Sequence, residues 1–404
     1  RGVSQRHLHF AEALEQLRDC ADSFLVHNRP IINRADDSIV RIMVGQTTLL
    51  RRSRGYAPLP IELNEATQQP ILAVGGHLKN TVAYMQGNRL MLSPHIGDLS
   101  TSKAMAAHEQ AIAAFTDLYR NSPEQVVHDA HPDYCSTRIA QAKQIDCLSV
   151  QHHYAHALAC MADNRIKAPC FAVVWDGTGY GDDGRVWGGE FLQITAEGYQ
   201  RLLHFLPFPL PGGDAAIREP RRSALGILYT LQVDPGCLTF PTAMLALLWQ
   251  ALQQQINTPQ TSSVGRLFDA VAALLGLCDQ NQFEGEAAML VEFTAMQSDH
   301  KLVYPYHLEQ GMVDWRPMLR AMLNEREKDK AWMARQFHNT LAAIIVAAAR
   351  LQDQHHVLLT GGCFQNKLLL ETAQFELRQA GFEPYWHHRI PPNDGGLAAG
   401  QIMA

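Results

Sequence analysis

Short apolar runs that stop at glycine pairs are the first pattern along the chain. Residues 71–74 form such a run, and the two glycines after it end the predicted strand. Two more strands are predicted over residues 81–85 and 89–92, with a turn at Gly87-Asn88 between them. This region therefore predicts a buried strand followed by a glycine-rich hairpin.

The same order of strand, glycine turn and strand returns roughly a hundred residues later. The apolar run 170–175 stops at residues 176–179, which read Asp-Gly-Thr-Gly. A turn at Asp183-Gly184 then leads into a predicted strand over 186–194. The repeated order predicts two related lobes that face each other.

Helical patterns fill much of the remaining chain. A helix is predicted over residues 102–119, and residues 335–351 place their large apolar side chains on one helical face. The whole stretch 240–350 is mostly helical, and one more buried strand is predicted over 356–359. Because strands alternate with helices, the sequence predicts a mixed α/β fold.

The first part of the chain follows a different pattern. A helical stretch over residues 9–24 precedes two short extended runs and a basic segment, and the polar stretch 64–70 is typical of a linker. We therefore predict one unit over residues 1–65 and a second, two-lobed domain over 66–404. The chain opens on Arg1 in the middle of a motif, so we expect it to be the C-terminal part of a longer protein.

Composition and charge exclude several classes of protein. The 404 residues are too many for one ordinary domain, and a hydrophobic content of 47% predicts a large core. The net charge is −6, and no block of Lys and Arg marks a phosphate-backbone surface, so nucleic acid is not expected as a partner. No apolar stretch approaches the ~20 residues needed to span a bilayer. Eight scattered cysteines without a Cys-x-x-Cys pair predict reduced thiols and no zinc ribbon, and we expect a cytoplasmic protein.

Candidate metal-ligating side chains are most concentrated in the stretch 151–160, which contains three histidines. If this stretch is helical, His152 and His156 are separated by one turn and lie on one face, a spacing that suits two imidazoles on one metal. Asp176 and Asp394 follow predicted strands or turns and are candidates for two further ligands. Each aspartate could instead stabilise a local turn or cap a helix. The set of four predicts one divalent metal ion, Fe or Zn by ligand type, with Mn as another fit and Mg as an alternative.

Glycine turns form the second group of candidates. Four turns, at residues 75–76, 177–179, 361–362 and 395–396, each follow a strand or turn, and none reads as a P-loop. Backbone N–H groups in such turns bind anions, and the missing Cβ lets a phosphate chain approach. The four turns together favour a nucleotide cleft of the duplicated kind found in actin-like ATPases.

An ordered series of motifs closely resembles the HypF family, the carbamoyltransferases of nickel–iron hydrogenase maturation. The stretches that carry the resemblance are 74–81, 93–99, 128–134, 151–156, 176–181, 283–288, 360–366 and 394–396. The resemblance implies a duplicated actin-like (ASKHA, ribonuclease-H-like) two-lobe ATPase fold from about residue 68 onward, similar to the TsaD family of tRNA threonylcarbamoyltransferases. Residues 1–62 resemble the end of an α/β YrdC-like domain.

The resemblance also implies roles for individual residues. It places the metal on His152 and His156 with Asp394 and Asp176, and Lys79 and Asn80 at a phosphate or carbamoyl group. The residues that it places at an adenine nucleotide (ATP, ADP or AMP) are Gly177, Asp269, Gly285, Gly361, Gly362 and Asn366. In the YrdC-like part, Ser38 and Arg52 resemble residues at a phosphate or nucleotide.

The implied reaction has two steps. Carbamoyl phosphate and ATP give carbamoyl-adenylate, with release of pyrophosphate and AMP over the cycle, and the carbamoyl group passes to the C-terminal cysteine of the partner HypE for cyanide ligand synthesis. Two alternatives stay open: an O-carbamoyltransferase of the antibiotic-tailoring type, and a scaffold that binds metal and nucleotide without chemistry. The order of the two domains favours the HypF-type enzyme over the antibiotic-tailoring type.

Overall fold

Alternating strands and helices build two main sheets. The computed structural model describes residues 10–26, 28–29, 35–325 and 327–404. The strands are β1 Ile39–Met43, β2 Gln46–Arg51, β3 Ile61–Ala73, β4 Ala83–Leu92, β5 Gln125–Asp129, β6 Asp146–Val150, β7 Cys170–Tyr180, β8 Val186–Thr195, β9 Gly198–Phe205, β10 Phe208–Pro209, β11 Gln260–Thr261, β12 His307–Glu309, β13 Met312–Asp314, β14 His356–Thr360 and β15 Glu383–Tyr385.

Helices connect the strands and cover both sheets. They are α1 Phe10–Leu17, α2 Ser102–Tyr119, α3 Cys135–Gln141, α4 His152–Asn164, α5 Ala215–Arg218, α6 Pro220–Leu231, α7 Thr242–Gln254, α8 Val264–Leu274, α9 Glu286–Ala295, α10 Arg316–Asn324, α11 Lys330–Ala349, α12 Lys367–Gln379 and α13 Leu397–Ile402. Short 3-10 turns lie at Pro235–Cys237, Gly362–Gln365 and Asp394–Gly396. No helix in the described part of the chain is both long and apolar enough to cross a membrane.

The two main sheets share one strand arrangement. The first has the order β4-β3-β5-β6, in which β3 pairs antiparallel with β4 and parallel with β5. In the second, β7 pairs antiparallel with β8 and parallel with β14, within the order β12-β13-β9-β8-β7-β14-β15. The predicted α/β fold with two related lobes is confirmed, because each lobe is a hairpin extended by parallel strands.

Two helices from different parts of the chain meet between the sheets. Helix α4 packs on α13, and Gly400 permits the crossing because a Cβ there would stand 1.7 Å from the Ala155 carbonyl oxygen. Buried residues of α4 join the apolar clusters of both sheets. The crossing therefore fixes the start of α4 next to the turn that precedes α13.

The β1–β2 hairpin is a separate sheet that packs on the second lobe. The Arg41 guanidinium makes two hydrogen bonds, of 2.7 and 3.0 Å, to the carboxylate of Glu292 on α9, and it also donates to the Gln365 carbonyl at 2.9 Å. The Val44 N–H donates to Glu371 on α12 at 2.8 Å. This part of the chain is thus anchored by polar contacts to helices of the second lobe.

Four local predictions differ from the structure. The strand that begins at Cys170 does not stop at residues 176–179, because β7 continues to Tyr180 with a local register shift. Residues 64–70 lie inside β3, so the predicted linker is wrong: this largely exposed polar stretch continues a strand whose partner is β4. The predicted turn at Gly87-Asn88 is absent, because β4 continues through Gly87 with a local register shift opposite Thr67. The predicted helix over 9–24 is shorter, Phe10–Leu17, and residue 9 lies outside the described residues. The division into units 1–65 and 66–404 stays a prediction.

Candidate metal centre and glycine turns

The histidine pair opens a buried helix. Helix α4 begins at His152, after Gln151, whose side-chain oxygen accepts a hydrogen bond of 2.8 Å from the Tyr154 N–H. This cap fixes the first turn, so the side chains of His152 and His156 project from one face, with ring centroids 5.0 Å apart. Both are fully buried.

Two aspartates from distant segments complete the cluster. Asp176 lies in β7 of the second sheet, and Asp394 lies in the turn before α13. The Nε2 atoms of His152 and His156 are each 3.3 Å from Asp176 Oδ2, and 3.8 and 3.7 Å from Asp394 Oδ1. One donor atom from each of the four residues lies within 4.8 Å of all the others. The fold therefore brings together the four residues that the sequence predicted as candidate ligands.

Asp129, at the end of β5, is part of the centre and was not assigned a role from the sequence. Its Oδ2 lies 2.7 Å from His152 Nδ1, and both side chains are completely buried. The only signal in the sequence is its place in the His-Asp-Ala-His stretch, residues 128–131. Its position follows from the parallel pairing of β5 with β6, the strand that leads into α4.

The carboxylates dominate the electrostatics of the centre. Burial opposes charge on His152, but its carboxylate neighbours, Asp129 first, raise the pKa of this imidazole well above its ordinary value. Burial likewise opposes ionisation of Asp176, yet hydrogen bonds from the two imidazoles hold the pKa of Asp176 well below its usual range. The centre thus favours ionised carboxylates and a positive charge among them.

The donor set fits a divalent metal ion. Two imidazoles and two carboxylates are ligands for Fe²⁺, Zn²⁺ or Mn²⁺. Nδ1 of His156 is buried without a hydrogen-bond partner among the described residues, and its Nε2 faces the carboxylates of Asp176 and Asp394. A buried imidazole of this kind is costly unless another group binds it, and a metal ion would do so.

Asp176 connects the histidine pair to a glycine turn. While its Oδ2 faces the histidines, its Oδ1 accepts a hydrogen bond of 3.0 Å from the Gly362 N–H. A Cβ on Gly362 would stand 2.6 Å from that oxygen, and one on Gly361, which has φ +95°, would stand 2.2 Å from the Trp175 carbonyl oxygen. Backbone contact thus requires glycine at position 361, whereas a side chain at position 362 would displace the Asp176 carboxylate.

The Asp176-Gly177 segment also contacts the start of α8. Ser263 caps α8 and its hydroxyl lies 2.7 Å from the carbonyl oxygens of both Asp176 and Gly177. One turn further, Arg266 pairs with Asp269 at 3.1 Å, and burial raises the pKa of Asp269 to about 6. Asp269 therefore lies on the helix that packs against the part of β7 that contains Gly177.

Asn366 and Gly285 each lie immediately before the first residue of a helix. The Asn366 side chain accepts a hydrogen bond of 2.9 Å from the Leu369 N–H at the start of α12 and donates to His338 Nε2 at 2.9 Å. Gly285 precedes α9 with φ +81°, and the space where its Cβ would stand is open. Asn366 is thus part of the second-lobe turn, and Gly285 leaves room for a ligand at the α9 start.

Lys79 and Asn80 follow the first-lobe glycine turn. Asn80 is buried, and its amide nitrogen donates to the carbonyls of Val74 and Gly76 at 2.8 and 2.6 Å. The Lys79 ammonium pairs with Glu284, next to Gly285. Burial opposes the charge on Lys79, but Glu284 and Asp394 raise its pKa above the ordinary value. Lys79 therefore faces the histidine and aspartate cluster, whereas the Asn80 amide stabilises the first-lobe glycine turn.

Ser38 and Arg52 lie away from the centre and their polar groups are used locally. The Ser38 hydroxyl donates to the Arg54 carbonyl and accepts from the Ser53 N–H, both at 2.9 Å. The Arg52 guanidinium is buried and donates to the carbonyls of Tyr56, Leu59 and Arg389. Burial lowers the pKa of Arg52 to about 10. Both side chains stabilise the β1–β2 region and its contact with the second lobe.

Family models match most of the chain. Residues 66–163 match the HypF Kae1-like domain, and residues 172–401 match the second subdomain of a carbamoyltransferase Kae1-like domain. The two-lobed fold with its buried histidine and aspartate centre is thus a carbamoyltransferase Kae1-like domain by class. The chain belongs to the HypF family, which confirms the resemblance seen in its motifs.

Individual relatives agree with this assignment. The carbamoyltransferase HypF of Synechocystis sp. is 42% identical over 97% of this chain and 54% of its own length. A HypF homolog from Cupriavidus necator is 34% identical over 82% of this chain and 90% of its own length. A crystal structure of full-length HypF in a phosphate- and nucleotide-bound form superposes with a TM-score of 0.93 at 37% identity, covering 97% of this chain and 64% of that one. The chain spans about half the length of the Synechocystis protein.

Proposed function

We propose that this chain performs the carbamoyl-transfer step of the HypF reaction. The observation that carries the proposal is Asp176, whose two carboxylate oxygens join the histidine pair to the Gly361-Gly362 turn. A metal held by His152, His156, Asp176 and Asp394 would therefore lie directly beside a turn suited to a nucleotide phosphate. Such an arrangement suits transfer of a group from an adenylate.

In the proposed step, the cysteine thiolate of the acceptor attacks the carbamoyl carbon of carbamoyl-adenylate. A carbon–sulfur bond forms, the carbon–oxygen bond to the AMP phosphate breaks, and AMP leaves. A bound divalent metal would supply Lewis-acid stabilisation of the oxyanion that develops at the tetrahedral centre. Lys79 would place a further positive charge near the same group, since its pKa is raised by neighbouring carboxylates.

The adenine nucleotide is proposed to lie between the two lobes. Its phosphates would approach Gly177, Gly361 and Gly362, where side chains are absent, and its ribose side would face Asp269, Gly285 and Asn366. The nucleotide-bound form of a relative supports a nucleotide as ligand of the family fold. ATP is the proposed substrate, and ADP or AMP would occupy the same cleft.

The proposed acceptor is the C-terminal cysteine of HypE, and carbamoyl phosphate is the proposed carbamoyl source. The test incubates the chain, loaded with Zn²⁺ or Fe²⁺, with carbamoyl-adenylate and HypE. Intact-mass measurement should find a carbamoyl group on HypE, and HypE without its terminal cysteine should stay unmodified.

The outcomes separate the alternatives. Transfer to HypE supports the proposal, whereas binding of metal and nucleotide without transfer supports a scaffold that does no chemistry. Transfer to a sugar hydroxyl but not to HypE would favour an O-carbamoyltransferase. A parallel reaction with ATP and carbamoyl phosphate, followed by pyrophosphate release, tests whether this chain also makes the adenylate.

A further inference from the structure

We propose that Asp129 is a positioning residue that holds His152 with its Nε2 facing the metal. The inference rests on the metal centre in the proposed function. Its basis is the 2.7 Å contact between Asp129 Oδ2 and His152 Nδ1, in which both side chains are completely buried. A carboxylate at this distance makes Nδ1 the protonated nitrogen and leaves the lone pair of Nε2 free for a ligand bond.

Asp129 is itself held in place by its surroundings. Its Oδ1 accepts a hydrogen bond of 2.8 Å from the His131 N–H, and its carbonyl oxygen accepts one of 3.1 Å from the Thr137 hydroxyl. It also ends β5, whose residues pair in parallel register with β6 up to Asp129↔Val150. The carboxylate therefore has one oxygen fixed to the backbone and the other directed at His152.

The second histidine has no such support. His156 Nδ1 is buried and has no hydrogen-bond partner among the described residues. The two imidazoles are thus inequivalent: Nδ1 of His152 faces a carboxylate of the first lobe, whereas Nδ1 of His156 has no such partner among the described residues. Asp176, in the second lobe, faces both rings. Asp129 is accordingly the contribution of the first sheet, whose strands carry none of the four candidate ligand residues.

Asp129 also changes the charge of the centre. With neutral imidazoles, the carboxylates of Asp129, Asp176 and Asp394 together carry three negative charges around the ligand atoms. A carboxylate behind a ligand imidazole makes that imidazole a stronger donor and favours a divalent cation. The expected consequence of removing it is weaker metal binding without a change in the ligand set.

The experiment measures Zn²⁺ affinity of the metal-free chain by competition with a chromogenic chelator. Asp129→Asn keeps an oxygen that can accept from the His131 N–H but removes the charge, and we expect it to weaken Zn²⁺ binding by about 10–100-fold. In a His152→Ala background the same substitution should cause no further loss, because Asp129 acts through His152. The Co²⁺-loaded Asp129→Asn variant should also show a changed visible spectrum.

Asp133→Asn is the matched control, because Asp133 lies on the same loop but is exposed and pairs with Arg138. It should bind Zn²⁺ as the unmodified chain does. Equal affinity in Asp129→Asn, or an equal loss in the His152→Ala background, would overturn the positioning role. If the unmodified chain binds no metal, the metal centre of the proposed function fails, and this inference fails with it.

If Asp129→Asn does not fold, the unmodified chain loaded with Co²⁺ gives the test. The His152 Nδ1 proton should then be observed as a paramagnetically shifted resonance that exchanges slowly with solvent, because Asp129 accepts its hydrogen bond. A rapidly exchanging proton would contradict the proposal.

Discussion

The glycine turns of the two lobes begin from the same strand arrangement but use their polar side chains differently. In the second lobe, the carboxylate of Asp176 extends from β7 to the histidine pair and to the Gly362 N–H. In the first lobe, the amide of Asn80 donates to the carbonyls of Val74 and Gly76, within its own turn.

The difference shows how duplicated segments diverge in function. A polar side chain whose donors are all used by adjacent carbonyls stabilises a turn, whereas one whose oxygens reach other segments can form a site. The first-lobe turn contributes Lys79, which pairs with Glu284 of the second lobe. The second-lobe turn thus contacts a carboxylate that faces the histidine pair. The first-lobe turn is held together by its own amide and contacts the other lobe through Lys79.

Replacing both histidines should have the largest effect. His152→Ala combined with His156→Ala removes both imidazoles, so we expect loss of stoichiometric metal and of carbamoyl transfer. The protein should fold but melt at a lower temperature, because Asp176 and Asp394 remain as buried like charges. Metal analysis and mass measurement of HypE check both losses.

The control for that variant replaces His355 and His356, which lie at the start of β14 away from the centre. It should retain metal and transfer activity. Stoichiometric metal in the His152, His156 double variant would show that the ion binds elsewhere.

A buried histidine beneath the second-lobe turn should make stability depend on pH. Burial lowers the pKa of His338 to about 4, and its Nε2 accepts from the Asn366 amide. Between pH 6.5 and 4 the unfolded chain binds a proton there that the folded chain does not, so stability falls as pH falls, by up to about 3 kcal/mol.

Denaturant unfolding at several pH values tests this prediction. His338→Gln should give a shallower dependence over pH 4–6.5, because the variant has no imidazole to protonate. An identical slope in His338→Gln would show that His338 does not cause the acid sensitivity.

Adding one methyl group to each glycine turn compares the two lobes directly. In Gly362→Ala the new Cβ would stand 2.6 Å from Asp176 Oδ1, so the carboxylate must move and metal affinity should fall by about 10-fold. In Gly76→Ala the new Cβ meets a Leu397 methyl at 3.0 Å and Asp394 Oδ2 at 3.7 Å. The leucine can shift, so the same measurement should find a smaller loss. Equal losses would remove the distinction between the turns.

The sequence predicted the four residues of the buried cluster better than the residue that supports them. His152 and His156 were predicted because helical spacing is local. Asp176 and Asp394 were predicted because each follows a predicted strand or turn, although Asp176 lies within β7 and not at its end. Asp129 was missed because its role depends on β5 lying beside β6, a pairing that no local pattern encodes. Residues 64–70 were misassigned because polar positions on a strand with a solvent-facing side resemble a linker.

Arg52 shows a related limit of the sequence, and its role at a phosphate or nucleotide stays a prediction. An arginine in a basic segment indicates anion binding when its environment is unknown. In the fold, two nearby backbone carbonyls, of Tyr56 and Leu59, and one distant carbonyl, of Arg389, accept its N–H groups. Whether a charged side chain meets a ligand or a carbonyl is decided by tertiary contacts, which the sequence alone does not give.

The Lys79–Glu284 contact between the lobes should give the smallest change in stability and the clearest separation of two roles. The pair is partly exposed, so Lys79→Met and Glu284→Gln should each change the free energy of unfolding by less than about 1 kcal/mol.

If Lys79 only bridges the lobes, both variants should reduce carbamoyl transfer equally, because either one breaks the contact. If its ammonium also meets the reacting group, as proposed, Lys79→Met should reduce transfer far more than Glu284→Gln, which leaves the positive charge in place. Lys79→Arg should then recover part of the activity, because the charge is restored on a side chain of different shape. Measured rates with supplied carbamoyl-adenylate decide between the two, and equal rates in the Met and Gln variants would limit Lys79 to joining the lobes.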